Sequence, residues 1–173
     1  MSTYNHILKT ILLVISLIAY GQLKSQTTEK STIDKIVIQF FPVFHTNSQI
    51  IYDVKNGDMI YDMIGDVVYI KVDGNYDIKP FYHKYNSAES QILNDSILAQ
   101  FKIDDFSDSY FDAEDGMTID ILFVFADGKS KKIELSNSST TNQRRLISFL
   151  LETVIDNCPD NETIEYSKLI KEY

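Results

Sequence analysis

Between Thr118 and Leu135 the chain reads TIDILFVFADGKSKKIEL. In an extended strand, Ile119, Ile121, Phe123 and Phe125 fall on one face and Leu122, Val124 and Ala126 on the other. A strand apolar on both sides belongs in the middle of a sheet. Asp127-Gly128 then turns the chain, and Ile133 and Leu135 resume the alternation. A two-residue Asp127-Gly128 loop would set Ile133 across from Leu122. The pattern favours a three-residue loop, Ala126 to Gly128 with a left-handed glycine in a bulge, which sets Ile133 across from Ile121 and Leu135 across from Ile119. That register gathers the apolar residues of both strands on the heavier face and leaves Lys132 and Glu134 on the other.

Ile33 to Phe44 reads as a first strand, with Ile36, Ile38 and Phe40 on one face and Val37, Gln39 and Phe41 on the other. Pro42 ends it or assigns it to an edge, because proline has no N–H for a ladder. Ile50 to Met63 reads as a hairpin in which a two-residue Asn56-Gly57 turn pairs Val54 with Met59, Tyr52 with Tyr61 and Ile50 with Met63. A second hairpin, Asp66 to His83, turns at Asp73-Gly74-Asn75 and matches Val72 with Tyr76 and Ile70 with Ile78. Leu93, Ile97 and Phe101, widened by Leu98, predict a helix capped either at Asn86, with Glu89 three residues on, or at Asn94, followed by Asp95.

Asp104 to Asp115 reads as an acidic loop. Thr140 with Gln143 forms a capping-box pattern, and Leu146, Phe149, Leu150, Thr153, Val154 and Asn157 carry a helix from about Thr141 to Asn157. Residues 158–173 read as a polar tail with a loosely docked helical turn or two. Together these elements predict an α+β fold, an antiparallel β-sheet of about six or seven strands with two helices packed on one face. The domain spans residues 33–157.

Composition alters that picture at the N-terminus. His6 and Lys9 precede Ile11 to Ala19, an apolar run that suits a signal-peptide core and is far shorter than the roughly 20 residues of a bilayer helix. Residues 1–25 are therefore expected to be a signal peptide, cut after Gly21 or after Ser25, and the mature protein to be periplasmic or extracellular. No cysteine follows the run, so no membrane anchor is expected to remain after cleavage. A cut after Ser25 removes two of the 16 basic residues, Lys9 and Lys24, and none of the 25 acidic ones, taking the net charge from −9 to −11. Such a charge repels nucleic acid and anionic membranes, and favours a basic protein as partner. Cys158 is the only cysteine, which excludes an intrachain disulfide; with no histidine close in sequence to prime it, it reads as a packed or half-exposed thiol.

Phe41-Pro42-Val43-Phe44, the Asn56-Gly57 hairpin, Phe101 through Phe106-Ser107-Asp108-Ser109-Tyr110, and Ala126-Asp127-Gly128-Lys129 with Lys131-Lys132-Ile133 follow one another in a suggestive order. In that order the chain resembles a family of small exported bacterial domains of unknown function, over about residues 33–157, with Phe41 where the family often carries a cysteine. The resemblance implies the fold and an exported location. It brings no activity and no catalytic residues.

Candidate chemistry is sparse. Asp104, Asp105, Asp108, Asp112, Glu114 and Asp115 form the densest set of oxygen ligands, but counting back from Gly116 gives Phe111, Ala113 and Asp115 where an EF-hand needs three oxygen ligands. A solvated connection is favoured over an irregular calcium site. His45 and His83 are the histidines left after processing, without HExxH or paired-cysteine spacing. No GxSxG, GxGxxG or P-loop occurs. Eleven tyrosines and no tryptophan leave Tyr52 beside Tyr61 as an aromatic pair suited to a protein or sugar, although such pairs also stabilise sheets from within. Arg144 and Arg145 open the last helix, where the dipole disfavours them by roughly a few tenths of a kcal/mol, and so should pair with the acidic loop, the simpler reading, or bind an anion.

The expected protein is an exported, non-catalytic domain that uses no cofactor or metal and acts by protein or ligand binding. Its expected binding surface comprises Tyr52, Tyr61, Asp108, Asp112, Glu114 and Asp115. A more specific alternative is a periplasmic immunity or inhibitor-type protein that neutralises a basic toxin or enzyme.

Overall fold

In the computed structural model, which describes residues 32–43, 45–64, 76–111 and 116–172, seven strands form one sheet. In chain order they are β1 (Ile33–Pro42), β2 (Ser48–Asp53), β3 (Asp58–Met63), β4 (Phe81–Lys84), β5 (Ser109–Tyr110), β6 (Met117–Phe125) and β7 (Ser130–Ser136). Their spatial order is β4-β3-β2-β1-β6-β7-β5, antiparallel throughout except that the two-residue β5 runs parallel to β7. The expected leader lies outside the described residues, as does most of the expected second hairpin. What is described of that hairpin differs from the expectation: Tyr76 and Ile78 lie in irregular chain, and β4 pairs with β3.

The doubly apolar ribbon is β6, interior to the sheet between β1 and β7. Ile121 faces Ile133 and Ile119 faces Leu135. Phe125 and Lys129 close a three-residue loop, the Phe125 N–H donating to the Lys129 carbonyl at 2.9 Å, while Gly128 takes φ +81°, a conformation that costs a side-chain-bearing residue about 1 kcal/mol. β1 is central too. Pro42 is its last residue, paired with Met117, so the proline ends a central strand instead of marking an edge.

The β2–β3 hairpin has a different register from the expected one. Tyr52 faces Met59, Ile50 faces Tyr61 and Ser48 faces Met63 around a four-residue loop, Val54 to Gly57. Asp53 causes the difference: its carboxylate accepts from the Asn56 N–H and side-chain amide, both at 2.9 Å, and its carbonyl accepts from the Gly57 N–H at 2.8 Å. Gly57, at φ +70°, then returns the chain. The register moves by two residues, which leaves every side chain on its expected face.

One face of the sheet carries the core. Ile36, Ile38, Phe40, Ile50, Tyr52, Met59, Tyr61, Ile121 and Phe123 are all fully buried there, each worth about 1.5–3 kcal/mol of transfer free energy. Asn86 caps the first helix through a capping box with Glu89. That helix, α1 (Ser87–Gln91), continues as a π turn over Ile92–Ile97 and a 3-10 turn over Leu98–Gln100. Its stripe of Leu93, Ile97 and Leu98, followed by Phe101, is buried, and Phe101 and Phe106 meet Phe123 at ring distances of 5.7 and 5.0 Å.

The expected Thr140–Gln143 capping box starts α2 (Thr141–Asn157), which buries Leu146, Ile147, Leu150, Leu151 and Val154. Cys158, just past its end, is buried. The expected loose tail is instead a three-turn helix, α3 (Asn161–Glu172). It buries Thr163, Tyr166, Ser167 and Ile170, and the Tyr166 hydroxyl donates to the Thr46 carbonyl. Asp160 caps it, accepting from the Thr163 hydroxyl at 2.7 Å and the Thr163 N–H at 2.8 Å, and these bonds hold the Asp160 carboxyl below its ordinary pKa.

Candidate functional site

Among the described residues no helix side chain bonds to the second face of the sheet, here called the open face. Strand alternation places Tyr82, Ile60, Ile51, Val37 and Leu122 side by side on five adjacent strands. This apolar row runs about 19 Å across the sheet. Tyr82 and Ile60 are 61% and 42% exposed, too much for core residues of their size, and the other three are half-buried. Half-buried Val124 and Phe41 extend the apolar area along β6 and β1.

Charged residues flank the row on both sides. Lys84, Asp58, Asp53 and Lys35 form one flank; Asp62, Gln49, Gln39, Asp120 and Glu134 form the other. Lys84 sits 2.8 Å from Asp58 and Lys132 sits 2.8 Å from Asp120. The Tyr82 hydroxyl also donates to Asp58, at 2.5 Å. Bonds from Lys84 and then Tyr82 hold the Asp58 carboxyl below its ordinary pKa, and the same carboxylate holds Lys84 and Tyr82 above theirs. Once these pairs are made, Asp53, Asp62 and Glu134 remain against Lys35, so the face carries a negative surplus.

The far edge adds a second tyrosine. Tyr110 on β5 lies level with Ser136 and is 64% exposed. Partial desolvation, then the neighbouring Asp108, Glu134 and Asp120 carboxylates, hold its hydroxyl above the ordinary pKa. Asp108 is exposed as expected, and its carboxylate accepts from the Glu134 N–H at 2.8 Å, fastening β5 to β7. Asp112, Glu114 and Asp115 lie outside the described residues.

Tyr52 and Tyr61 belong elsewhere. Both are fully buried on the core face, Tyr52 edge-on to Tyr85 at 5.3 Å and Tyr61 with its hydroxyl 3.3 Å from Ser48, so neither offers a binding surface. Burial pushes the Tyr61 hydroxyl up to about 12. Exposed aromatic rings available to a partner include Tyr82, Tyr110 and Phe111, and strand alternation places Tyr82 on the face opposite Tyr52 and Tyr61.

The acidic loop also divides. Asp105 is buried and accepts from the Thr140 hydroxyl, from the Asn142 amide at 2.8 Å and from the Lys102 N–H at 2.6 Å. Burial raises its pKa, but these three donors together outweigh burial and bring it below the ordinary value. It is a structural carboxylate. His83 packs against Tyr85 at 4.8 Å with Glu89 at 3.8 Å, whereas His45 lies against Tyr76 at 6.0 Å. Among the described residues no three His, Cys, Asp or Glu side chains are grouped to hold a metal, and no helix is long and apolar enough to cross a membrane.

No protein-family model, curated protein or solved structure matches the chain.

Proposed function

We propose that this protein is an exported, non-catalytic domain that binds another protein through the open face of its sheet. The observation that carries the reading is the Tyr82-Ile60-Ile51-Val37-Leu122 row, exposed at one end and bonded by no helix side chain among the described residues. An apolar strip rimmed by charge is the ordinary anatomy of a protein-binding surface, and tyrosines at both margins supply rigid contact area at low entropic cost.

The charge pattern defines the partner. A surface with its own apolar strip and a rim of lysine or arginine complements Asp53, Asp62 and Glu134. The negative surplus favours the more specific form of the reading, an inhibitor or immunity-type protein capping a basic toxin or enzyme. Exposed pairs of this kind contribute about 0–1 kcal/mol each, so the apolar row supplies affinity while the rim governs association rate and salt dependence.

The test is affinity capture from periplasmic extract with the immobilised protein over a salt series. The reading expects one tightly held basic protein whose association slows as salt rises. A partner that is acidic, or capture insensitive to salt, would overturn the charge argument, and capture of no protein would overturn the reading itself.

A further inference from the structure

A cavity of about 330 Å³ lies between the α2–α3 pair and the ends of β6 and β7, away from the apolar row. Its lining is mixed, and Ile119, Ile147 and Ile170 are among its apolar members. Arg144, Ser139 and Ser148 also line it, and among the described residues none of these three side chains has a hydrogen-bond or ion-pair partner. Lys171 borders the same space but is held by Glu152 at 2.6 Å, while exposed Glu172 adds a negative charge near it.

Arg144 is the informative residue. It sits in the first turn of α2, where the positive end of the helix dipole disfavours a cation. Its neighbour Arg145 donates to the Ser96 carbonyl at 2.8 Å, which accounts for that side chain. Arg144 makes no such contact, and the pairing expected between these arginines and the acidic loop is not seen among the described residues. A guanidinium beside a cavity lined in part by isoleucines, with two unpartnered hydroxyls next to it, has the donors that an anionic head group needs. The isoleucines give a hydrocarbon portion of the anion something to pack against. The volume falls at the small end of ordinary ligand pockets, about 300–1,000 Å³.

We propose that this cavity binds a small amphipathic organic anion, its carboxylate on Arg144, Ser139 and Ser148 and its aliphatic portion against Ile119, Ile147 and Ile170. The site is separate from the open sheet face, and neither depends on the other.

Octanoate titrated into the full-length chain, followed by calorimetry and by isoleucine methyl NMR, tests the assignment. The expected result is one saturable site with shifts at Ile147 and Ile170 and none at Ile60. Arg144→Gln should weaken octanoate binding about 10- to 100-fold while leaving the melting temperature unchanged, because the side chain is exposed. Octan-1-ol, with the tail but no charge, should bind weakly and equally to both proteins. Ser148→Phe, which fills the cavity and keeps Arg144, should abolish binding. No saturation by octanoate, equal affinity in Arg144→Gln or Ser148→Phe, or inorganic phosphate binding as tightly as octanoate would each overturn the proposal.

Discussion

Gly116 precedes β6 directly, and a methyl group there has no room: its Cβ would lie 1.9 Å from Asn137 Oδ1. Asn137 cannot yield without loss. Its backbone is left-handed at φ 51°, its Oδ1 accepts from the Met117 N–H at 3.0 Å, and its Nδ2 donates to the Phe111 carbonyl at 3.2 Å. Gly116→Ala must therefore expel the Asn137 side chain, giving up two hydrogen bonds and stranding a buried N–H, at a cost of about 2–4 kcal/mol. For a domain of this size that lowers the melting temperature by roughly 10 °C. Calorimetry on four proteins isolates the cause. Asn137→Gly alone should cost about 2 kcal/mol, because glycine tolerates the backbone but loses the bonds. Adding Gly116→Ala to it should cost only about 0.5 kcal/mol more, since the obstructing side chain is gone. A Gly116→Ala protein melting within about 2 °C of the parent, or two substitutions whose effects simply add, would refute the interlock.

Asp105→Asn should destabilise the fold by about 1.5–3 kcal/mol at neutral pH, since the amide presents a donor where the carboxylate accepted three bonds. The folded carboxyl has a lowered pKa, so its contribution is complete above the unfolded value near ~3.9 and is lost as pH falls through the folded value. The gap between the two proteins in urea titrations should accordingly begin to narrow as pH falls below about 4 and close only below the folded value, and a gap that does not narrow as the pH is lowered through that range would contradict the assignment. Tyr166→Ala should cost about 3–5 kcal/mol and Tyr166→Phe about 1 kcal/mol by the same assay, because the ring is fully buried and its hydroxyl is bonded to Thr46. A small effect of Tyr166→Ala would restore the loosely docked tail.

What was legible in the sequence follows from period. The β6–β7 register could be read because only one alignment puts Ile119, Ile121, Ile133 and Leu135 together, and the structure has that alignment. The box at Thr140 could be read because it pairs a capping side chain with a matching residue three positions on, whereas the first helix offered both Asn86 and Asn94 and the structure uses Asn86. The β2–β3 loop could not. Asn56-Gly57 signals a two-residue turn, but the Asp53 carboxylate engages Asn56 and opens a longer one. Tyr52 and Tyr61 were assigned a binding role because an aromatic cross-strand pair looks the same whether its face is covered or open. Coverage depends on α2 and α3, which lie far along the chain. α3 itself escaped because its buried face, Thr163, Tyr166, Ser167 and Ile170, has helical spacing but only two apolar members.

The same coverage decides the function. If the row across the open face binds the partner, the double substitution Ile60→Glu with Leu122→Glu should leave the protein folded with a cooperative melt, because neither side chain belongs to the buried core, and should abolish capture of the protein held by the parent chain. Arg144→Gln, on the opposite side of the sheet, should capture it in full. Equal capture by the doubly substituted chain would contradict the account.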